Sequence, residues 1–492
     1  MRLLDTLTST AVDGVPVLRA DGPAPLSAAL VFRVGRADEA FLDGGITHLV
    51  EHLVMRGVGR VPIEANAAVS AHTTTFEASG SPHHVVEFLA RVCRALGALD
   101  TAALDVERGV LAAEAERRGG SSPAAEAASL RYGCRGAGLL AYRDVGVARL
   151  GGDEVAAWAA RWFTRGNAVL ALSGPVPGDL RLPLPPGERA PVPVLAPRAL
   201  ELPAWDSPAG GTAVSLRLAG ADGADGTDLA VGRLLARAAE DAVRHERGLA
   251  YDVDVDPLRV DAGTAEVAVH ADNDPARAAE VAGLLVDVVE AFAEHGPSAQ
   301  DLRADAAQAF EALADPRRTG DAVTAAAEEL LLGLPPRTPA QRYERTRQRG
   351  AGELREAVRA ALPGLIALLP EDAELDRPGL GRLAASTSPV PAGRELRPRP
   401  FKGVPRGTRL VAGEDGVALR LPEGDLVARW DDVVGVTVRA DGTHVLQTGD
   451  GPAVPVPVGD FRGAREVLAQ ARRRLPERLF VPDPDEEGAA AR

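Results

Sequence analysis

Residues 43–57, DGGITHLVEHLVMRG, place two histidines and a glutamate where they can act together. Asp43 is suited to cap a helix at the start of this run, and Gly57 to end it. At about 100° per residue, His48, Glu51 and His52 then share one side of the helix. Two imidazoles one turn apart can hold a zinc ion, and a carboxylate between them can polarise a bound water. The alternative is a solvated helix face with incidental histidines. Only nine histidines occur in the chain, so H-x-x-E-H is an infrequent coincidence here and still a conceivable one.

A catalytic zinc takes three protein ligands. In the helical pattern TAALDVERGVLAAEAERR (101–118), Leu104, Glu107, Leu111 and Glu114 fall on one face, while Glu116 falls on another. Carboxylates within an apolar stripe are costly unless they are paired or bound to metal. The plainer reading puts both glutamates at the rim of a narrow core stripe.

These helices need a scaffold. At 492 residues the chain exceeds one hydrophobic core. Short alternating runs such as SAALVFRV (27–34) read as strands, interleaved with helices near 45–56, 84–97 and 101–118. After a proline-rich stretch the plan returns, with strands at 212–218 and 263–270 around a helix at 226–246. The fold class is therefore α+β: two similar α/β-sandwich domains, 1–176 and 209–385, joined by a Pro-rich linker, 177–208. A second linker, 386–407, leads to a small module at 408–480. Its strands are separated by Gly/Asp turns and closed by one helix at 461–475, with Asp460 as N-cap. That order resembles a pleckstrin-homology-like β-barrel capped by one helix, a type of module that docks proteins or lipids. The acidic tail 481–492 reads as disordered.

A net charge of −15 disfavours nucleic acid and anionic membrane as main partners of the whole chain. No apolar run is long enough for a transmembrane segment, and MRLLDTLTST lacks the apolar core of a signal peptide. With Cys93 and Cys134 as the only cysteines there is no disulfide framework, and a cytoplasmic location is expected.

Taken together, these motifs resemble the insulinase/pitrilysin family of inverzincin metallopeptidases. The chain is most similar to its two-domain subunits, such as those of mitochondrial processing peptidase. In that family the H-x-x-E-H helix is followed by E-x6-E, matched here by Glu107 and Glu114. Further matches are Glu39 before the motif, WFTRGNAVLALSG (162–174), and Arg244-His-Glu-Arg-Gly-Leu-Ala-Tyr251. The resemblance implies Zn2+ on His48, His52 and Glu114, Glu51 as general base, and Glu107 as a supporting acid. It also implies that Arg244 and Tyr251 stabilise the oxyanion, and that Ser70, Ala71, His72 and Thr73 bind substrate beside an edge strand near 72–79. Asn66-Ala67 is the other register for that segment.

The resemblance thus implies an endopeptidase acting on short or unfolded peptides as a homodimer, or as half of a heterodimer. The competing reading is a catalytically silent scaffold or partner subunit. One departure bears on the groove: His52 and Glu114 are 62 residues apart, closer than is usual in the family, with the deficit between Arg60 and Ser70.

Overall fold

The computed structural model describes residues 3–117, 120–208, 210–219, 226–422 and 424–483. The first sheet contains β1 (Thr8–Val12), β2 (Val15–Arg19), β3 (Leu26–Phe32), β4 (Glu64–Val69), β5 (Thr74–Gly80) and β6 (Ala168–Leu172). Its spatial order is β1-β2-β6-β3-β5-β4, with β2 and β6 parallel and the other pairs antiparallel. Helices α1 (Ile46–Val58), α2 (Pro82–Gly97), α3 (Leu104–Arg117), α4 (Pro123–Tyr132) and α5 (Gly152–Trp162) belong to the same half. Strand β3, LSAALVF, is apolar almost throughout because both of its faces are covered. On one face Leu26, Ala28, Leu30 and Phe32 join a core with Leu49, Val50, Leu53, Phe88 and Val155 from α1, α2 and α5.

The second half repeats this plan. Its strands are β7 (Ala204–Asp206), β8 (Thr212–Ala219), β9 (Ala250–Arg259), β10 (Thr264–Asn273), β11 (Ile366–Leu368) and β12 (Gly381–Arg382). They lie in the order β12-β7-β11-β8-β10-β9. The run β7-β11-β8-β10-β9 thus reproduces β2-β6-β3-β5-β4, including the parallel first pair. Among the described residues six helices accompany it: α6 (Thr227–Ala239), α7 (Ala278–His295), α8 (Ala299–Ala314), α9 (Thr319–Leu331), α10 (Pro339–Gln348) and α11 (Ala351–Ala361). The helix expected over 226–246 ends early, and Glu240–His245 form a π-helical turn that Gly248 terminates at φ 62°.

The halves exchange helices. Ala29, Val31, Val169 and Ala171 on the outer face of the first sheet are covered by Val323, Ala326, Ala327 and Leu331 of α9. In return α4 lies on the second sheet, where Ala127 meets Ala204, Ala213 and Ile366, and Tyr132 meets Val260. Within that contact Arg131 donates to Glu266 at 2.7 Å, their side chains 2% and 0% exposed. Ser215 Oγ also donates to Glu266, and Arg131 reaches the Gly364 carbonyl at 2.7 Å. The proline-rich stretch is bound down as a strap: Leu180, Leu182 and Leu184 enter the first core, and Arg33 donates to the Ala190 and Pro191 carbonyls.

At the C-terminal end, β13 (Gly393–Leu396), β14 (Arg409–Gly413), β15 (Gly416–Leu421) and β16 (Gly424–Arg429) form one sheet. A second sheet has the order β19-β18-β17-β20, from β17 (Val433–Val438), β18 (His444–Thr448), β19 (Ala453–Val456) and β20 (Phe480–Pro482). Among the described residues these remain two four-stranded sheets, which corrects the expected closed barrel. The closing helix α12 (Ala464–Arg474) buries Ala464, Val467, Leu468 and Ala471 between them. Its N-cap is Gly463 in the left-handed region, so Asp460 does not cap it; Phe461 is drawn into the core instead. The tail expected to be disordered from 481 starts as strand instead: Val481 and Pro482 belong to β20 and pair with β17, and beyond Asp483 it lies outside the described residues.

Removing one member of a buried ion pair leaves the other charge uncompensated. Arg131→Met is therefore expected to destabilise the chain by about 3–5 kcal/mol, read from urea denaturation. A change below about 1 kcal/mol would show that the α4 contact does not depend on this pair.

Candidate metal centre

Helix α1 does not begin as the sequence suggests. Asp43 sits in a 3-10 turn, Phe41–Asp43, and pairs with Arg149 at 2.5 Å. Gly44 and Gly45 then bend the chain, and the helix starts at Ile46 with Gly45 at φ 90°. A Cβ at Gly45 would lie 2.4 Å from Val147 Cγ2, so both the turn and the close packing require glycine. The helix N-terminus is satisfied from a distance by Glu39, whose carboxylate accepts from Gly45 N at 2.8 Å and Thr47 N at 3.0 Å. Arg36 pairs with the same carboxylate. Burial pushes the Glu39 carboxyl above its usual range, while Arg36 and the helix amides act against that shift. At the other end the helix runs through Gly57 and closes at Gly59, φ 66°.

This frame holds α1 against α3, and six side chains meet between them. His48 Nε2 lies 3.7 Å from Glu114 Oε2, and His52 Nε2 lies 3.5 Å from Glu114 Oε1. The two imidazole rings stand edge to face, 4.8 Å between centroids. Glu51 Oε2 is 3.6 Å from His48 Nε2 and 3.8 Å from His52 Nε2, placing its carboxylate beside both donor nitrogens. His52 Nδ1 lies 3.1 Å from Glu107 Oε2, and the other oxygen of Glu107 accepts from Arg56 at 2.7 Å. Glu107 is buried, whereas Glu114 is 41% exposed at the open side.

The donor set suits zinc. One atom each of His48, His52 and Glu114 lies within 4.8 Å of the others. Ligands about 2.1 Å from a tetrahedral ion stand about 3.4 Å from one another, close to the nitrogen–oxygen separations found here. A hydrogen bond from Nδ1–H to Glu107 fixes the His52 tautomer and turns the Nε2 lone pair toward the cluster. Arg56, one turn after His52 on the same face, is a member of the site that the motif did not supply.

The remaining predicted residues lie elsewhere. Arg244, on the π-helical turn, pairs with Glu240 at 2.8 Å, and Tyr251 is 81% exposed at the start of β9. Among the described residues no hydrogen bond or ion pair links either to the cluster. Ser70–Thr73 form the turn between β4 and β5, and their polar groups face the protein. His72 Nε2 bonds to the Arg259 carbonyl at 3.0 Å, Arg33 donates to the His72 carbonyl, and Thr73 Oγ1 donates to Glu328 at 3.3 Å. Burial also holds the His72 imidazole below its usual pKa. The edge expected near 72–79 is corrected too: β5 is paired on both sides, and the open edge is β4, which contains Asn66-Ala67. No helix intervenes between α1 and β4, in keeping with the shortened spacing.

The second half carries a counterpart without ligands. Helices α6 and α1 each have thirteen residues and occupy the same place in the repeat, and Arg233 stands seventh in α6 as His52 does in α1. Arg233 makes a two-point ion pair with Asp305 of α8, at 2.7 and 3.1 Å, where the first half has its histidine–glutamate cluster.

The sequence matches no family model and no curated protein. Solved structures do match. A protease from Helicobacter pylori aligns over 75% of this chain and 100% of its own, at 15% identity and TM-score 0.62. A peptidase M16 inactive domain from Pseudomonas fluorescens aligns over 76% and 100%, at 15% and 0.61. Pitrilysin aligns over 76% of this chain and 46% of its own, at 16% and 0.58. The chain has the M16 peptidase fold. Since an inactive domain shares it, the fold alone does not decide the chemistry; the side chains between α1 and α3 must.

Glu39→Ala removes the acceptor of two helix amides and the partner of Arg36. The expected result is a loss of about 2 kcal/mol or more in thermal unfolding. Unchanged stability would mean that water replaces the carboxylate without penalty.

Proposed function

We propose that this chain is a zinc-dependent endopeptidase. The observation that carries the reading is the convergence of His48, His52 and Glu114, whose donor atoms lie within 4.8 Å of one another, with Glu51 beside them and Glu107 behind His52. Zinc held there would supply a Lewis acid that lowers the pKa of water to about 7. Glu51 is placed to accept the proton of the attacking water and return it to the leaving amine. Glu107 keeps His52 oriented, and Arg56 holds Glu107 in place. The open edge of β4, beside α1, offers an extended peptide main-chain pairing, so Asn66-Ala67 rather than Ser70–Thr73 takes the substrate-pairing role.

Arg244 and Tyr251 point to assembly. Both are exposed and outside the cluster, so an oxyanion role for them requires a second protomer. We therefore favour a homodimer in which the second half of one copy faces the metal helix of the other, in the cytoplasm. The silent-scaffold reading draws on the short Gly59–Ile63 connection and on the inactive M16 domain of like fold. For the C-terminal module we propose contact with an anionic lipid surface. Phe401 is fully exposed at φ 65°, and Arg397, Arg399, Lys402 and Arg406 flank it in the sequence with no acid between 397 and 406.

Purified chain is expected to hold one zinc, and Glu51→Gln to keep it while losing about 10²–10⁴-fold in peptide hydrolysis. Glu107→Gln should weaken zinc binding roughly 10–100-fold by chelator competition. Absence of zinc, or full activity in Glu51→Gln, would overturn the peptidase. For the module, vesicles containing phosphatidylserine should retain the chain at low salt and lose it with Phe401→Ser. Equal retention by neutral vesicles, or none, would remove the lipid.

A further inference from the structure

The strand pattern of the C-terminal module suggests a separable docking unit, yet the module is built into the first half. Its β18–β19 hairpin meets the segment after α4. Cys134 N donates to the Gly449 carbonyl at 3.0 Å, Arg135 pairs with Asp450 at 3.0 Å, and Tyr142 Oη donates to the Gly451 carbonyl at 3.2 Å. The contact is close: a Cβ on Gly133 would lie 2.1 Å from the Gly449 oxygen.

A second contact reaches the metal helix. Phe41 and Leu42, in the turn that enters α1, share an apolar cluster with Cys134 and Leu139 of their own half and with Val481, Val434 and Leu479 of the module. Gly435 of β17 packs against this turn with no room for a side chain. A methyl group there would lie 2.9 Å from Leu42 Cδ2 and 3.0 Å from Phe41 Cδ1. From the opposite side the 142–149 loop closes on the same turn: Gly146 N donates to the Gly44 carbonyl at 3.0 Å, and Arg149 donates to the Leu42 carbonyl at 2.9 Å. Phe41–Gly45 is thereby gripped between module and loop, one helical turn ahead of His48.

We propose that the C-terminal module is a positioning element for the metal helix, acting through Gly435 on Phe41 and Leu42. Packing fixes the entry of α1, the entry fixes where the Gly45 and Thr47 amides meet Glu39, and this sets the register of His48 and His52 against Glu114. Anything that shifts the module therefore loosens the ligand set without touching a ligand. The metal part of this inference rests on the zinc reading above; the mechanical part does not.

The two cysteines make the test readable in the full chain. Burial pushes both thiols up to about 12, with Cys134 at the module contact and Cys93 inside the first core. Gly435→Leu and Gly435→Ala are compared with wild type by three measurements: hydrogen exchange of amides 45–52 on metal-free protein, Zn2+ affinity by chelator competition, and thiol labelling. Exchange is expected to quicken at least tenfold in the leucine variant and less in alanine, with zinc affinity falling in the same order and Cys93 protected. If Cys93 becomes reactive in Gly435→Leu, the chain has unfolded globally and Gly435→Ala alone is read. Unchanged exchange at 45–52 in a variant that keeps Cys93 protected overturns the proposal, whether or not Cys134 opens. If wild type binds no zinc, the peptidase reading fails, and the exchange data still decide the coupling.

Discussion

Each six-stranded sheet has two apolar faces, and its own half supplies helices for only one of them. The other faces are closed by exchange, α9 crossing to the first sheet and α4 to the second. Neither half can then fold fully alone, because Ala29, Val31, Val169 and Ala171 would meet water without α9. The same constraint places ionic groups inside. The Arg131 and Glu266 charges are desolvated by the crossing helix, and Ser215 and the Gly364 carbonyl add hydrogen bonds to the pair, while Glu266 Oε2 is left without a hydrogen-bond partner among the described residues.

On this rigid base the candidate site is a problem of placing acids. Four carboxylates, of Glu39, Glu51, Glu107 and Glu114, surround two turns of α1, and each has different company. Glu39 is covered and neutralised by Arg36 and helix amides; Glu107 is covered and paired with His52 and Arg56; Glu114 faces outward. Burial and partner thus separate an acid that caps a helix, one held against His52, one beside both imidazoles and one that faces outward, though all four are the same residue type.

The local part of this arrangement was legible in the sequence. Helical spacing alone brought His48, Glu51 and His52 to one side, and the apolar stripe around Glu107 marked an acid in need of a partner. The strand–helix plan and its repetition were readable from alternation and from the return of the same element order. What stayed hidden depends on contacts remote in sequence. Asp43 had the right type and place for a cap, but Gly44-Gly45 swing it away and Glu39 arrives from another turn. Ser70–Thr73 matched a pattern, yet the pairing of β5 on both sides assigns the open edge to β4. Nor could alternation in 408–475 reveal that the module leans on Phe41 and Leu42.

The Arg233–Asp305 pair gives the repeat a further meaning. Two copies of one scaffold sit in the same chain, at the same temperature and ionic strength, and among the described residues only one carries the histidine–glutamate cluster. The second copy fills the corresponding space with opposite charges that satisfy each other, whereas the first crowds carboxylates around two imidazoles. The protein therefore contains its own reference state, and the contrast between its halves displays the local frustration that a cluster of acids and imidazoles imposes on an otherwise self-consistent fold.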